Sequence, residues 1–263
     1  MIMVVVGYAA ALGIGLSLGL IGGGGSILTV PILVYLFHID PVQATTYSLF
    51  VVGFTSLAGA YSYGRKGNIQ YKTALIFGVP SLIAVFIMRK WVMPAIPVHI
   101  TAFGTWAISK SFLLMMIFAL LMVLASISMI RNKQPVERVN GNPGLSGQLA
   151  FQGILVGLVT GFVGVGGGFL IIPSLVLLAG LPMKKAVGTS LLIMTISSLL
   201  GVMGDVTGKI SIDYTLLGIF TALAIAGILV GSHLSSVIQD THLKPIFGWF
   251  VLIMGIYIFI HSI

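Results

Sequence analysis

Gly19-Leu20-Ile21-Gly22-Gly23-Gly24-Gly25-Ser26 interrupts an apolar run that extends from Met3 to about Phe37. As one helix rising about 1.5 Å per residue, that run would measure roughly 50 Å, against a bilayer hydrocarbon core of roughly 30 Å. The length therefore predicts a break, and the glycines predict its place. A second stretch of the same kind, Gly161-Phe162-Val163-Gly164-Val165-Gly166-Gly167-Gly168, interrupts the run from Leu149 to Ala179.

Around these two breaks the composition is that of a membrane protein. Of 263 residues, 58% are hydrophobic and 7% charged, and the mean hydropathy is +1.15, far outside the range of soluble domains. The apolar stretches are long and punctuated by Gly and Pro, without the ten-residue alternation of outer-membrane strands. The expected class is an all-α polytopic membrane protein. The formal charge of +8 sits in short connections between apolar runs, where it acts on topology; no nucleic-acid partner is expected. The absence of cysteine excludes disulfides, thiolate nucleophiles and cysteine metal sites, and no cofactor is expected. No Lys or Arg precedes Arg65, so the basic region of a cleaved signal is missing and the first apolar run is expected to be retained.

Read in order, the candidate membrane segments are Met3 to Phe37 (broken), Ala44 to Tyr63, Thr73 to Met88 and Trp106 to Ile130. They resume at Leu149 to Ala179 (broken), Ala186 to Met203, Tyr214 to Val237 and Ile246 to Ile260, about eight in all. Val92 to Gly104, between Trp91 and Trp106, reads as an interfacial loop. Residues 131–148 form the most polar stretch and the one credible linker. The chain on either side repeats. At an offset of 142, Gly15, Gly19, Gly22, Gly24, Gly25, Leu28 and Pro31 fall on Gly157, Gly161, Gly164, Gly166, Gly167, Leu170 and Pro173. Ala44, Ser48, Leu49 and Gly59 fall on Ala186, Ser190, Leu191 and Gly201. This divides the chain into an N-terminal repeat (1–130), a cytoplasmic linker (131–148) and a C-terminal repeat (149–263), each repeat with one broken helix and three continuous ones.

Charge tests the direction of the copies. If each broken run crosses once, Lys and Arg divide seven to six, with no bias. If each goes in and comes back, Arg65, Lys66, Lys72, Arg131, Lys133, Arg138, Lys184, Lys185 and Lys244 share one side, and only Arg89, Lys90, Lys110 and Lys209 lie opposite. The positive-inside tendency favours the second arrangement. It predicts re-entrant breaks, two inverted repeats, and both termini outside the cytoplasm.

Each break has chemical consequences. Glycine admits positive φ and close approach, and irregular backbone at membrane depth survives only where protein or a water-filled cavity satisfies it. A half-helix restarting near Ser26, and another near Gly168, would each present unpaired N–H groups and a positive dipole end, a site for an anion without any cationic side chain. The candidate binding residues are Gly22, Gly23, Gly24, Gly25 and Ser26 in the first copy and Gly164, Gly166, Gly167 and Gly168 in the second. Ser48, Thr189 and Ser190, at related places just after each broken run, add neutral donors. Two plainer readings compete: glycines at helix–helix packing seams, and hydroxyls bonded to the carbonyl one turn back. Asp40, Asp205, Asp213 and Asp240 fall near segment ends and read as caps or loop residues, with Glu137 in the linker, so no proton path stands out.

The broken run ending in Pro31, its copy ending in Pro173, the Gly188-Thr189-Ser190-Leu191 stretch, and the Gly67-Asn68-Ile69 and Gly208-Lys209-Ile210 loops resemble the TauE/SafE family of membrane permeases. The resemblance covers nearly the whole chain. It implies a permease, often an exporter, for a sulfur-containing oxyanion such as sulfite, a sulfonate or sulfoacetate, working in the cytoplasmic membrane. The second loop continues Ser211-Ile212-Asp213, near the family's acidic ending, whereas the first continues Gln70-Tyr71-Lys72. The expected partners are a small anionic substrate and the lipid bilayer, and the expected mechanism is alternating access. The alternatives are an anion channel or a carrier of another small carboxylate or inorganic anion. An intramembrane hydrolase would have to use Ser190 and His233, without a Gly-x-Ser-x-Gly elbow.

Overall fold

The computed structural model describes residues 2–96, 99–101, 107–131, 143–163, 167–177, 179–205 and 213–237, with helical residues at intervals from 248 to 260. These residues are almost entirely helical. The first apolar run gives α1 (Ile2–Ile21) and α2 (Gly24–Tyr35), followed by α3 (Pro41–Arg65) and α4 (Tyr71–Ile87). The second half gives α7 (Pro143–Val163), α8 (Gly168–Leu177), α9 (Met183–Asp205) and α10 (Tyr214–Val237), with α6 (Lys110–Arg131) before it. Segments this apolar fold as helices because a helix satisfies its own backbone. Their ends follow local chemistry. The Asp40 carboxylate accepts from the Val42 N–H at 2.9 Å ahead of Pro41, and Asp213 accepts from Thr215 at 3.0 Å and Leu216 at 3.1 Å, so two of the acids are N-caps, as the sequence predicts. Three helical stretches among the described residues are long and apolar enough to cross a membrane unaided: Tyr71–Ala95, Met183–Gly204 and Tyr214–Val237.

Between Val92 and Gly104 the structure differs from the expected loop. α4 runs on through a π-helical turn, Met88–Val92, into the short α5 (Met93–Ala95). Then β1 (His99–Thr101) pairs antiparallel with β2 (Ala107–Ser109), Ile100 facing Ile108. Pro94 thus lies in the last turn of a continuous helical stretch, Tyr71–Ala95, although the expected loop begins already at Val92. The linker's last residues are also helical, because α7 begins at Pro143.

The first break reverses the chain. Gly22 adopts φ +73°, its N–H still bonded to the Leu18 carbonyl at 2.8 Å. α2 then returns along α1: a Cβ on Gly25 would meet Ile14 and Leu18, and Phe37, just beyond α2, packs edge-on against Tyr8 near the start of α1, ring centroids 5.7 Å apart. The half-helices α2 and α8 end alike. The N–H of Ile39 bonds the Leu33 carbonyl at 3.1 Å, and that of Leu181 bonds the Leu175 carbonyl at 3.1 Å. His38 (φ 55°) and Gly180 (φ 65°) occupy the left-handed position of these caps, 142 residues apart.

Close contacts fix how the helices run. Gly15 and Gly19 of α1 meet Ala224 and Ile228 of α10 in ascending order, so these two are parallel. Gly153, Gly157 and Gly161 of α7 meet Phe77, Ser81 and Met88 of α4 in the same sense. α3 and α9 cross antiparallel, with Gly53 against Leu199, Gly59 against Leu191 and Leu49 against Gly201. Tyr47 near the start of α3 bonds the Asp213 N–H at 2.7 Å, and Tyr63 near its end bonds Ser235 at 2.7 Å, so α3 runs with α10. α4 runs with α9, Gly78 lying against Ile193 and Arg89 against Gly204. Thus α1, α3 and α10 point one way and α4, α7 and α9 the other. α3 and α9 sit deepest, with Val51, Val52, Leu191 and Met194 wholly buried.

Candidate functional site

The two breaks meet. A Cβ on Gly23 would fall on the backbone of Gly168, and one on Gly168 would strike Gly23 and the Met194 sulfur. Gly22 lies against Ile172 of α8 and Val187 of α9. Gly167, at φ +77°, starts α8: its carbonyl accepts from the N–H groups of Leu170 at 3.0 Å and Ile171 at 2.9 Å. Gly24 and Gly168 are the first residues of their half-helices, close to the predicted restarts at Ser26 and Gly168. Gly164 and Gly166 lie outside the described residues. The glycines at the centre permit direct backbone contact, so packing and chain reversal are both served by the same residues. Pro31 and Pro173 stand inside α2 and α8, not in the first turn; each removes one helical hydrogen bond from a half-helix that is short already.

The hydroxyls divide by whether they are already engaged. Ser26 donates to the Gly23 carbonyl at 2.6 Å and Ser190 to that of Val187 at 2.8 Å, both bonding within their own chain segment. Thr189 accepts from the Gln70 N–H at 2.9 Å and so ties α9 to the α3–α4 loop. Ser48 is different: it is wholly buried and its oxygen has no partner among the described residues. Thr55 and Ser56 on α3 and Ser198 on α9 share that condition. By helical spacing Ser198 lies one turn beyond Met194 on the side of α9 that carries Val187 and Met194, and its Cβ is 3.4 Å from the position a Cβ on Gly53 would take. A buried hydroxyl without a partner costs free energy on the order of 1–3 kcal/mol, so these four side chains on α3 and α9 are the costly polar groups of the two deepest helices.

A residue that sequence reading counted only as a surface charge turns out to be internal. Arg89, in the π-helical turn, is 2% exposed and is among the largest fully buried side chains. Its Nη1 donates to the Thr45 hydroxyl at 3.0 Å. The signal was present in the spacing: Ala74, Gly78, Ser81 and Val85 form the buried stripe of α4, and Arg89 continues it four residues on. At the opposite end of α3 there is a second polar cluster. Lys66 donates to the Ser232 carbonyl at 2.6 Å, Ser62 and Ser232 share a hydrogen bond at 2.8 Å, and Tyr63 reaches the Gly19 carbonyl at 2.8 Å. The hydrolase pair does not assemble, since Ser190 is buried and engaged with Val187 while His233 is exposed.

Helices of this apolarity, packed around two chain breaks that meet, define a helical membrane protein. The chain belongs to the sulfite exporter TauE/SafE family, whose model matches residues 7–258. It is 27% identical over 251 residues, covering 93% of this chain and 90% of the other, to a probable membrane transporter protein of Xylella fastidiosa. It is 29% identical over 233 residues, 88% of this chain and 90% of the other, to the probable membrane transporter protein YdhB of Bacillus subtilis. MJ0441 of Methanocaldococcus jannaschii, also named a probable membrane transporter protein, is 24% identical over 269 residues, 97% of this chain and 94% of its own. No solved structure matches the chain.

Proposed function

We propose that this protein is a secondary transporter that moves a small sulfur-containing oxyanion, with sulfite the first candidate, across the cytoplasmic membrane by alternating access. One observation carries the reading: the starts of α2 and α8 converge at Gly23 and Gly168, and the buried hydroxyls of Ser48, Thr55, Ser56 and Ser198 on α3 and α9 lack partners among the described residues. The two helix starts supply positive dipole ends. The hydroxyls supply neutral donors that grip an oxyanion and still release it. Gly22 to Ser26, Gly164 to Gly168, Ser48, Thr189 and Ser190 form the binding region in this reading, Thr189 by holding the α3–α4 loop against α9. The family's description as sulfite exporters favours sulfite over carboxylates.

Alternating access fits two inverted repeats, residues 1–130 and 149–263, joined by a cytoplasmic linker. Support comes from the helix directions, since α1 runs opposite to α7, α3 to α9 and α4 to α10, and from the matching caps at His38 and Gly180. The face that holds Arg65, Lys66 and Lys184 is the basic one, hence cytoplasmic.

Counterflow in proteoliposomes tests the mechanism and the substrate together. Preloading with unlabelled sulfite should speed uptake of labelled sulfite several-fold, and preloading with acetate should not. Uptake indifferent to preloading would make the protein a channel, and uptake faster with acetate would replace the substrate class.

A further inference from the structure

We infer that Arg89 is the fixed cation of the anion path, a selectivity residue on the side away from the basic face. The inference rests on the oxyanion reading above and adds to it a charged group that helix starts and hydroxyls do not provide. Among the described residues Arg89 is the one charged side chain in the buried set. Ionisable groups within membrane segments are costly and mark substrate paths, and π-helical turns recur where a helix is shaped for function.

Its position joins it to the site on two sides. Nη1 bonds Thr45 at 3.0 Å, and Ser48, the buried and unpartnered hydroxyl, stands one turn further along α3. The adjoining Met88 packs on Gly161, 2.9 Å from where a Cβ there would stand, near the end of α7 where the second break begins. A guanidinium offers planar, paired N–H donors that match an oxyanion's geometry. The charge favours entry of anions, and the neutral Ser48 hydroxyl one turn along α3 permits release. Counted from the helix starts at Tyr71 and Tyr214, the repeat-related position holds the uncharged Ser232, so the fixed charge belongs to one end of the path only.

The test is labelled sulfite uptake into proteoliposomes by wild type, R89K and R89Q, with thermal stability measured on each purified protein. R89K keeps the charge and loses the fork, so its KM for sulfite should rise about three- to tenfold with the maximal rate within about threefold. R89Q should lose at least about thirtyfold in maximal rate over KM while its melting temperature stays within a few degrees of wild type. A folded R89Q with wild-type KM overturns the inference. So does loss of folded protein in both variants, which would make Arg89 a structural tie between α4 and α3. Failure of wild type to carry sulfite, thiosulfate or sulfoacetate removes the oxyanion reading itself, and the inference with it.

Discussion

The two long parallel pairs, α1 with α10 and α7 with α4, occupy related places yet are built differently. In the first, glycines stand on both helices: Gly15 and Gly19 face Ala224 and Ile228, and Gly227 and Gly231 face Leu12 and Leu16. Backbone meets backbone, and the open end of the pair is closed by hydroxyls and Lys66. In the second, glycines stand on α7 alone: Gly153 and Gly157 meet the backbone of Phe77 and Ser81, and only at Gly161 does α4 answer first with a side chain, that of Met88, before ending in the buried Arg89. The first seam stays backbone on backbone to its Gly19 end, whereas the second passes to side-chain contact at its Gly161 end and carries a charge beyond it. A duplicated fold can thus keep its directions while its two ends acquire different chemistry.

The comparison can be broken most sharply at the centre the pairs share. Gly23→Val and Gly168→Val each place a side chain into opposing backbone, and sulfite uptake normalised to inserted protein should fall below about a twentieth of wild type, since overpacking of such a contact costs 1–3 kcal/mol or more. Uptake near the wild-type level in either variant would mean that the meeting of the breaks is not needed. The pairs themselves come next. Gly19→Ala drives a methyl into the backbone of Ile228, Gly231 and Ser232 at 2.5–2.8 Å, whereas Gly161→Ala meets Met88 Cβ at 2.9 Å and Val85 Cα at 3.1 Å, a milder approach. Thermal unfolding in detergent should show Gly19→Ala destabilised by about 3 kcal/mol and Gly161→Ala by about 1 kcal/mol. Equal losses would erase the proposed difference between the seams. The smallest effect concerns the caps. His38 holds a left-handed conformation that Gly180 adopts freely, so His38→Gly should stabilise by up to about 1 kcal/mol and Gly180→Ala should destabilise by about the same. The same measurement reads both signs.

Much of this architecture is legible in the chain because length and glycine act locally. A run too long for the bilayer must break, and Gly22-Gly23 is where it breaks. The half-helix starts at Gly24 and Gly168, the start of α10 and the caps at Asp40 and Asp213 all follow from short-range rules. Facing was harder. On helices apolar all round the facing signal is faint: the small-residue stripe of α4 points to Arg89 only because the helix continues past Ile87 through a π-helical turn. The hydroxyls posed the same difficulty. Ser48 and Ser190 stand at matched positions, yet Ser190 bonds the carbonyl of Val187 and Ser48 bonds nothing among the described residues, a choice made by packing. The ribbon of β1 and β2 left no alternating pattern long enough to recognise.

The parallel seam of α1 and α10 has a consequence for how the protein is made. The glycine face of α1 leaves the ribosome about 200 residues before its partner on α10, which at ordinary synthesis rates is a delay of roughly 10–40 s. For that interval Gly15 and Gly19 have only lipid or an assembly factor against them, and α1 and α2 stand as a hairpin awaiting closure from the far end of the chain. Biogenesis of this protein is therefore late-locking: a chain arrested before Tyr214 retains its breaks and loses the seam that holds the first of them in place.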